Sequence, residues 1–134
     1  CRLSSAIGAG FVKRCLVIDD SSVIRKVARA LLTSLGYEVI EAGCGADGIA
    51  ACAAQMPDAI LLDWDLPDMS GFDFLVTFNR EFAGTSHPYI IYATTENAPL
   101  DIARAISTGA SRYITVPFNR ETLEACFSRA DITA

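Results

Sequence analysis

The chain has 134 residues, 51% hydrophobic and 20% charged, and acids outnumber bases 16 to 11 for a net charge of -5. That composition fits one globular domain that can bury a core without a disulfide or metal to hold it. It gives no Lys/Arg cluster able to neutralise phosphates, so no nucleic-acid face is expected, and Lys13-Arg14 and Arg25-Lys26 read as isolated, solvated pairs.

Cys1, Cys15, Cys44, Cys52 and Cys126 are widely spaced, form no CxxC, and share the chain with a single histidine, His87. Neither a zinc site nor a disulfide framework is indicated, which fits a reducing cytoplasm, and Cys15 and Cys126 read as packed core. No run approaches the roughly 18 apolar residues of a membrane span, so no membrane insertion is expected. Residues 1–13, rich in small side chains, read as an arm or linker, residues 14–131 as the domain, and 132–134 as a tail.

In chain order, Cys15–Asp19 (CLVID) is a compact apolar run ending in acid, as a buried strand would. Val23, Val27, Ala30, Leu31 and Leu35 then recur at helical spacing, with Ser21 or Ser22 as cap and Gly36 as stop. Tyr37–Ala42 alternates like a strand. An Ala-rich helix follows over 46–55, ended by Met56-Pro57. Ala59–Leu62 is a third strand running straight into Asp63, and 71–82 a third helix. Tyr89–Ala93 is the fourth strand, 98–108 a helix closed by Gly109, and Arg112–Val116 the fifth strand. Asn119 caps a last helix to about Arg129. Five βα repeats predict an α/β fold: a doubly wound five-stranded parallel sheet with helices on both faces.

In such sheets ligands bind at the carboxyl ends of the strands, near the switch point. In the flavodoxin-like order 2-1-3-4-5, strands one and three are neighbours there. Asp19, Asp20 and Asp63 should therefore meet in one pocket, where their repulsion invites a cation. Hard oxygen ligands that leave room for water suit Mg²⁺. An exposed carboxylate beside a metal suits phosphoryl transfer. Thr94 and Thr95, at the end of strand four, could bring a hydroxyl to the same place.

These residues carry a family resemblance. LVIDDSSVIRKVARALL, LLDWDLPDMSGFDFL, YATTENA and GASRYITVPF resemble the receiver domain of two-component response regulators, in look the single-domain chemotaxis type, over about Cys15 to Arg129. The resemblance implies a phosphorylation-activated signalling switch rather than a turnover enzyme. Asp63 would be the phosphoacceptor. Asp19, Asp20 and the backbone carbonyl of Asp65 would complete a Mg²⁺ site with it. Thr94 would be the switch hydroxyl and Tyr113 the switch aromatic, with Pro117 holding the turn after strand five through a cis peptide. The donor would be a histidine kinase or histidine phosphotransfer protein. Because no DNA-binding or enzymatic segment follows in these 134 residues, output to a downstream protein by protein–protein contact is expected. That contact is expected on the face of helix four, strand five and helix five, with Ile106 and Tyr113 as candidates.

One position departs from the pattern: Val116 stands where the family normally has lysine, which leaves the metal as the main positive charge. This keeps open a receiver that docks partners independently of phosphate. Asp65 and Glu96, two residues beyond Asp63 and Thr94, are candidates for tuning hydrolysis, and Trp64 for a partly exposed reporter ring. Asp63-x-Asp65 also fits the opening of the haloacid-dehalogenase phosphatase motif, although two βα units precede it here and no lysine follows Lys26. GCGADG, residues 43–48, follows strand two and lacks GxGxxG spacing, so it reads as a turn rather than a dinucleotide loop.

Overall fold

A computed structural model of the chain describes residues 13–85, 87–95 and 98–133, with 128–133 given by backbone alone. Among the described residues five strands alternate with five helices: β1 Lys13–Ile18, α1 Ser22–Ser34, β2 Tyr37–Ala42, α2 Gly45–Ala54, β3 Ala59–Asp63, α3 Gly71–Glu81, β4 Tyr89–Thr94, α4 Pro99–Ser107, β5 Arg112–Thr115 and α5 Arg120–Thr133. Every neighbouring pair is parallel, in the order β2-β1-β3-β4-β5. This is the doubly wound topology the alternation predicts. Lys13 already belongs to β1, and the rest of the expected arm lies outside the described residues. α5 continues to Thr133, into the stretch read as a tail.

Because strand side chains alternate between faces, the sheet divides the core in two. Cys15, Val17, Val39, Leu61, Ile91 and Ile114 face one layer, closed by Ala28 and Leu32 of α1 and by Leu123 and Phe127 of α5. Leu16, Ile18, Ile60, Leu62, Ile90 and Tyr92 face the other, closed by Cys52 of α2, Phe74, Leu75 and Phe78 of α3, and Ala105 of α4. Cys15 and Cys126 are buried, as read from the sequence.

The inward face of α1 needs a correction. Val23 and Val27 are exposed at 67% and 44%, whereas Ala28 and Leu32 are fully buried and Leu31 and Leu35 pack beside them. The buried stripe lies one residue round the helix, because small Ala28 lets α1 approach the sheet where the bulkier valines would hold it off. Capping matches the sequence. Ser21 Oγ accepts from the Ile24 N–H at 3.2 Å, Asn119 Oδ1 accepts from the Thr122 N–H at 2.9 Å, and Gly36 closes α1 at φ +95°.

Candidate functional site

Asp19 follows β1 directly, its N–H donating to the Ala42 carbonyl of β2 at 3.0 Å. Asp63 ends β3, in register with Ala93 of β4. Since β1 and β3 are adjacent, with Ile18 opposite Leu62, the two acids share the carboxyl edge of the sheet. One carboxylate oxygen from each of Asp19, Asp20 and Asp63 lies within 4.8 Å of the others. Asp19 and Asp63 are buried and Asp20 is exposed.

Asp19 is held from two sides. Its Oδ1 accepts the Ser21 N–H at 2.9 Å, and its carbonyl accepts from Arg25 Nη1 at 2.7 Å. Arg25 Nε donates to Glu41 of β2 at 3.0 Å, and Arg29 Nε reaches the same carboxylate at 2.6 Å. Arg25 is thus no solvated surface residue: it ties the loop bearing the acids to the end of β2. The signal available in sequence was its place one turn beyond the Ser21 cap.

Burial, then the charges of Asp19 and Asp20, push the Asp63 carboxyl up to about 7, while the Trp64 backbone N–H works the other way. Burial likewise raises Asp19, opposed by the Ser21 N–H. Two half-desolvated carboxylates and a third at the rim cannot all be charged cheaply unless a cation joins them. The donor set, oxygens converging with one side open to water, fits a hard divalent ion such as Mg²⁺. Asp65 is exposed and bridges to Ser70. Its charge also raises Asp63, but its carboxylate is not among the converging oxygens.

Thr94, the last residue of β4, is fully buried, and its Oγ1 has no hydrogen-bond partner among the described residues. A buried hydroxyl left unpaired costs free energy unless a further contact satisfies it. Val116 donates its N–H to the Thr94 carbonyl at 2.9 Å and packs its side chain on the core layer shared with α1 and α5. The Val116-Pro117 bond is cis. Neither nearby arginine replaces the family's lysine. Arg120 Nη1 donates to Ser34 at 3.1 Å. Arg112 lines a groove with Tyr113, Ile106, Thr122 and Cys126.

Tyr113 stands opposite Tyr92 in the β4–β5 register and is 48% exposed. Trp64 is partly exposed beside Asp63. Glu96 lies outside the described residues. Two supports were not read from the sequence. A Cβ on Gly71 would stand 2.7 Å from both the Asp63 carbonyl and the Tyr92 ring, so only glycine lets α3 begin this close to the acceptor. Asp68 accepts from the Gly45 and Ala46 N–H groups at 2.8 and 2.9 Å, capping α2 from a distant loop. Such contacts join segments far apart in sequence, which spacing alone does not reveal.

Among the described residues, no helix is long and apolar enough to cross a membrane. A family model described as "Response regulator receiver domain" matches residues 15–128. The chain is 39% identical over 106 residues to the Mycobacterium tuberculosis (strain CDC 1551 / Oshkosh) transcriptional regulatory protein KdpE, covering 79% of this chain and 45% of that one. It is 34% identical over 122 residues to the probable transcriptional regulatory protein TcrX of M. tuberculosis (strain ATCC 25618 / H37Rv), covering 88% and 51%. The chain thus spans about half the length of these curated relatives. In three dimensions it matches the Vibrio cholerae chemotaxis protein CheY4 with a TM-score of 0.81 at 30% identity, covering 89% of this chain and 98% of that one.

Proposed function

The chain belongs to the response regulator receiver domain family, and on that premise we propose that it is a signalling switch that takes a phosphoryl group on Asp63 from a phosphohistidine. The donor is a histidine kinase or histidine phosphotransfer protein, and Asp19, Asp20, Asp63 and the Asp65 carbonyl hold Mg²⁺. One carboxylate oxygen of Asp63 forms the new P–O bond as the donor's N–P bond breaks, and the imidazole leaves with the electron pair. The metal, when bound, neutralises charge on the phosphoryl oxygens.

The observation that carries this reading is the buried Thr94 hydroxyl, unpartnered among the described residues, one position beyond the residue that pairs with Asp63 of the carboxylate trio. Once phosphate is on Asp63, that hydroxyl donates to a phosphoryl oxygen, and the loop leaving β4 follows it. Nothing among the described residues favours the phosphatase reading, because Asp63 sits on the third strand rather than the first. The domain acts as a cytoplasmic switch rather than a turnover enzyme. Its output passes by contact to a downstream protein.

Intact mass after incubation with acetyl phosphate and Mg²⁺ tests the reading. It expects addition of one phosphoryl group, lost in Asp63→Asn and lost when EDTA removes the metal. Unchanged mass in the wild type, with metal binding intact by Trp64 fluorescence and with a phosphohistidine donor also failing, leaves a phosphate-independent docking domain.

A further inference from the structure

α4 is the most lightly anchored helix of the sheet's second layer. It has nine residues, of which Ala105 is the buried one, and its cap residue Ala98 makes no side-chain cap bond. Leu100, at 80% exposure, and Ile106 face outward. With so little apolar burial, polar contacts hold the helix in place. Arg104 lies 4.0 Å over the Phe72 ring of α3, Asn79 Nδ2 donates to the Thr108 carbonyl at 2.6 Å, and the Tyr92 hydroxyl donates to Asp101 Oδ2 at 2.7 Å. Elements held this way open locally at low cost.

The Tyr92 bond differs from the other two in where it starts. Tyr92 is buried on β4, two residues before Thr94. Its ring lies where a Cβ on Gly71 would touch both it and the Asp63 carbonyl. Burial and the Asp101 carboxylate both keep the phenol protonated, so it remains a donor. Asp101 sits in the first turn of α4, immediately after the loop that leaves β4. The hydrogen bond therefore joins β4, two residues before Thr94, to the first turn of α4.

We propose that the Tyr92–Asp101 hydrogen bond is a latch that holds α4 in its resting position and sets how readily Asp63 is phosphorylated. The inference rests on the phosphoryl-switch reading above. If drawing Thr94 toward a phosphoryl group displaces the β4–α4 loop, α4 must give way, and a charge-assisted bond at its first turn opposes that. Loosening the latch enlarges the fraction of molecules already competent, which raises apparent reactivity in proportion.

The test uses the full chain with Tyr92→Phe, Asp101→Ala, Asp101→Asn and the double variant Tyr92→Phe/Asp101→Ala. Amide hydrogen exchange is followed over 99–107, with α3 as internal control, and phosphoryl uptake from acetyl phosphate with Mg²⁺ is followed by intact mass. The latch predicts faster exchange confined to α4 in Tyr92→Phe and Asp101→Ala. Initial uptake should rise by about fivefold to tenfold. Asp101→Asn, which retains an acceptor oxygen without the charge, should fall between wild type and Asp101→Ala, and the double variant should exceed neither single.

Unchanged α4 exchange, exchange that rises equally in α3, or fully additive effects overturn the latch. So does normal uptake at an unaltered rate. If wild type takes up no phosphoryl group from acetyl phosphate or from a phosphohistidine donor, the switch reading fails, and the exchange pattern still decides whether the bond tethers α4.

Discussion

Replacing Asp63 with Asn should stabilise the metal-free protein, and the gain should depend on pH. The wild-type carboxyl is held at about 7 against an ordinary value of 3.8. At about 1.4 kcal/mol per tenfold, that costs the folded state about 4 kcal/mol once Asp63 is fully ionised. Because the folded value lies above the unfolded one, the stability associated with the protonated acid is fully present below about pH 4. It is lost as pH rises through about 7. Asn keeps the shape and removes the ionisation, so it should remove most of that loss. Urea unfolding in EDTA should show wild type losing about 2–4 kcal/mol relative to Asp63→Asn between about pH 5 and pH 8, with equal m-values. Mg²⁺ should recover much of the deficit in wild type and little in the variant, because binding to the folded state stabilises it by mass action. Parallel pH profiles for the two proteins would refute the raised Asp63 carboxyl, and with it the burial and neighbouring charges that raise it.

Thr94→Val should raise resting stability by about 1 kcal/mol, by deleting the unpaired hydroxyl, yet leave phosphoryl uptake intact while abolishing the accompanying change in α4 exchange. Equal exchange changes in both proteins would contradict the switch role. Gly71→Ala should cost about 2–4 kcal/mol in urea unfolding, since its methyl meets the Asp63 carbonyl and the Tyr92 ring. A loss below about 0.5 kcal/mol would mean that α3 can move away freely. Arg25→Met should weaken Mg²⁺ binding, measured by Trp64 fluorescence, by about fivefold to tenfold, because the Asp19 carbonyl and Glu41 lose a shared donor. Unaltered affinity would show that the acid-bearing loop holds itself.

The topology was legible because strand and helix periods alternate cleanly, and parallel strands covered on both faces read as continuous apolar runs such as Ala59–Leu62. The carboxylate trio followed from placing strand ends at the switch point, a step that needs strand order but no side-chain contacts. What spacing could not show were the contacts that close over long sequence distances. Arg25 looked like surface because its partner Glu41 sits at the end of another strand. Tyr92 looked like ordinary strand apolarity until its hydroxyl was found on Asp101. The inward face of α1 was misjudged because hydropathy ranks Val23 and Val27 above Ala28, whereas packing selects by size and direction.

The most direct measurement of the central claim is to locate the phosphoryl group itself. After reaction with acetyl phosphate and Mg²⁺, borohydride reduction converts an aspartyl phosphate to homoserine, which tandem mass spectrometry reads by position. Homoserine is expected at residue 63 and nowhere else, and is expected to be absent without metal. Homoserine at Asp19, Asp20 or Asp65 instead, or intact Asp63 in protein that has gained phosphoryl mass, would contradict that expectation.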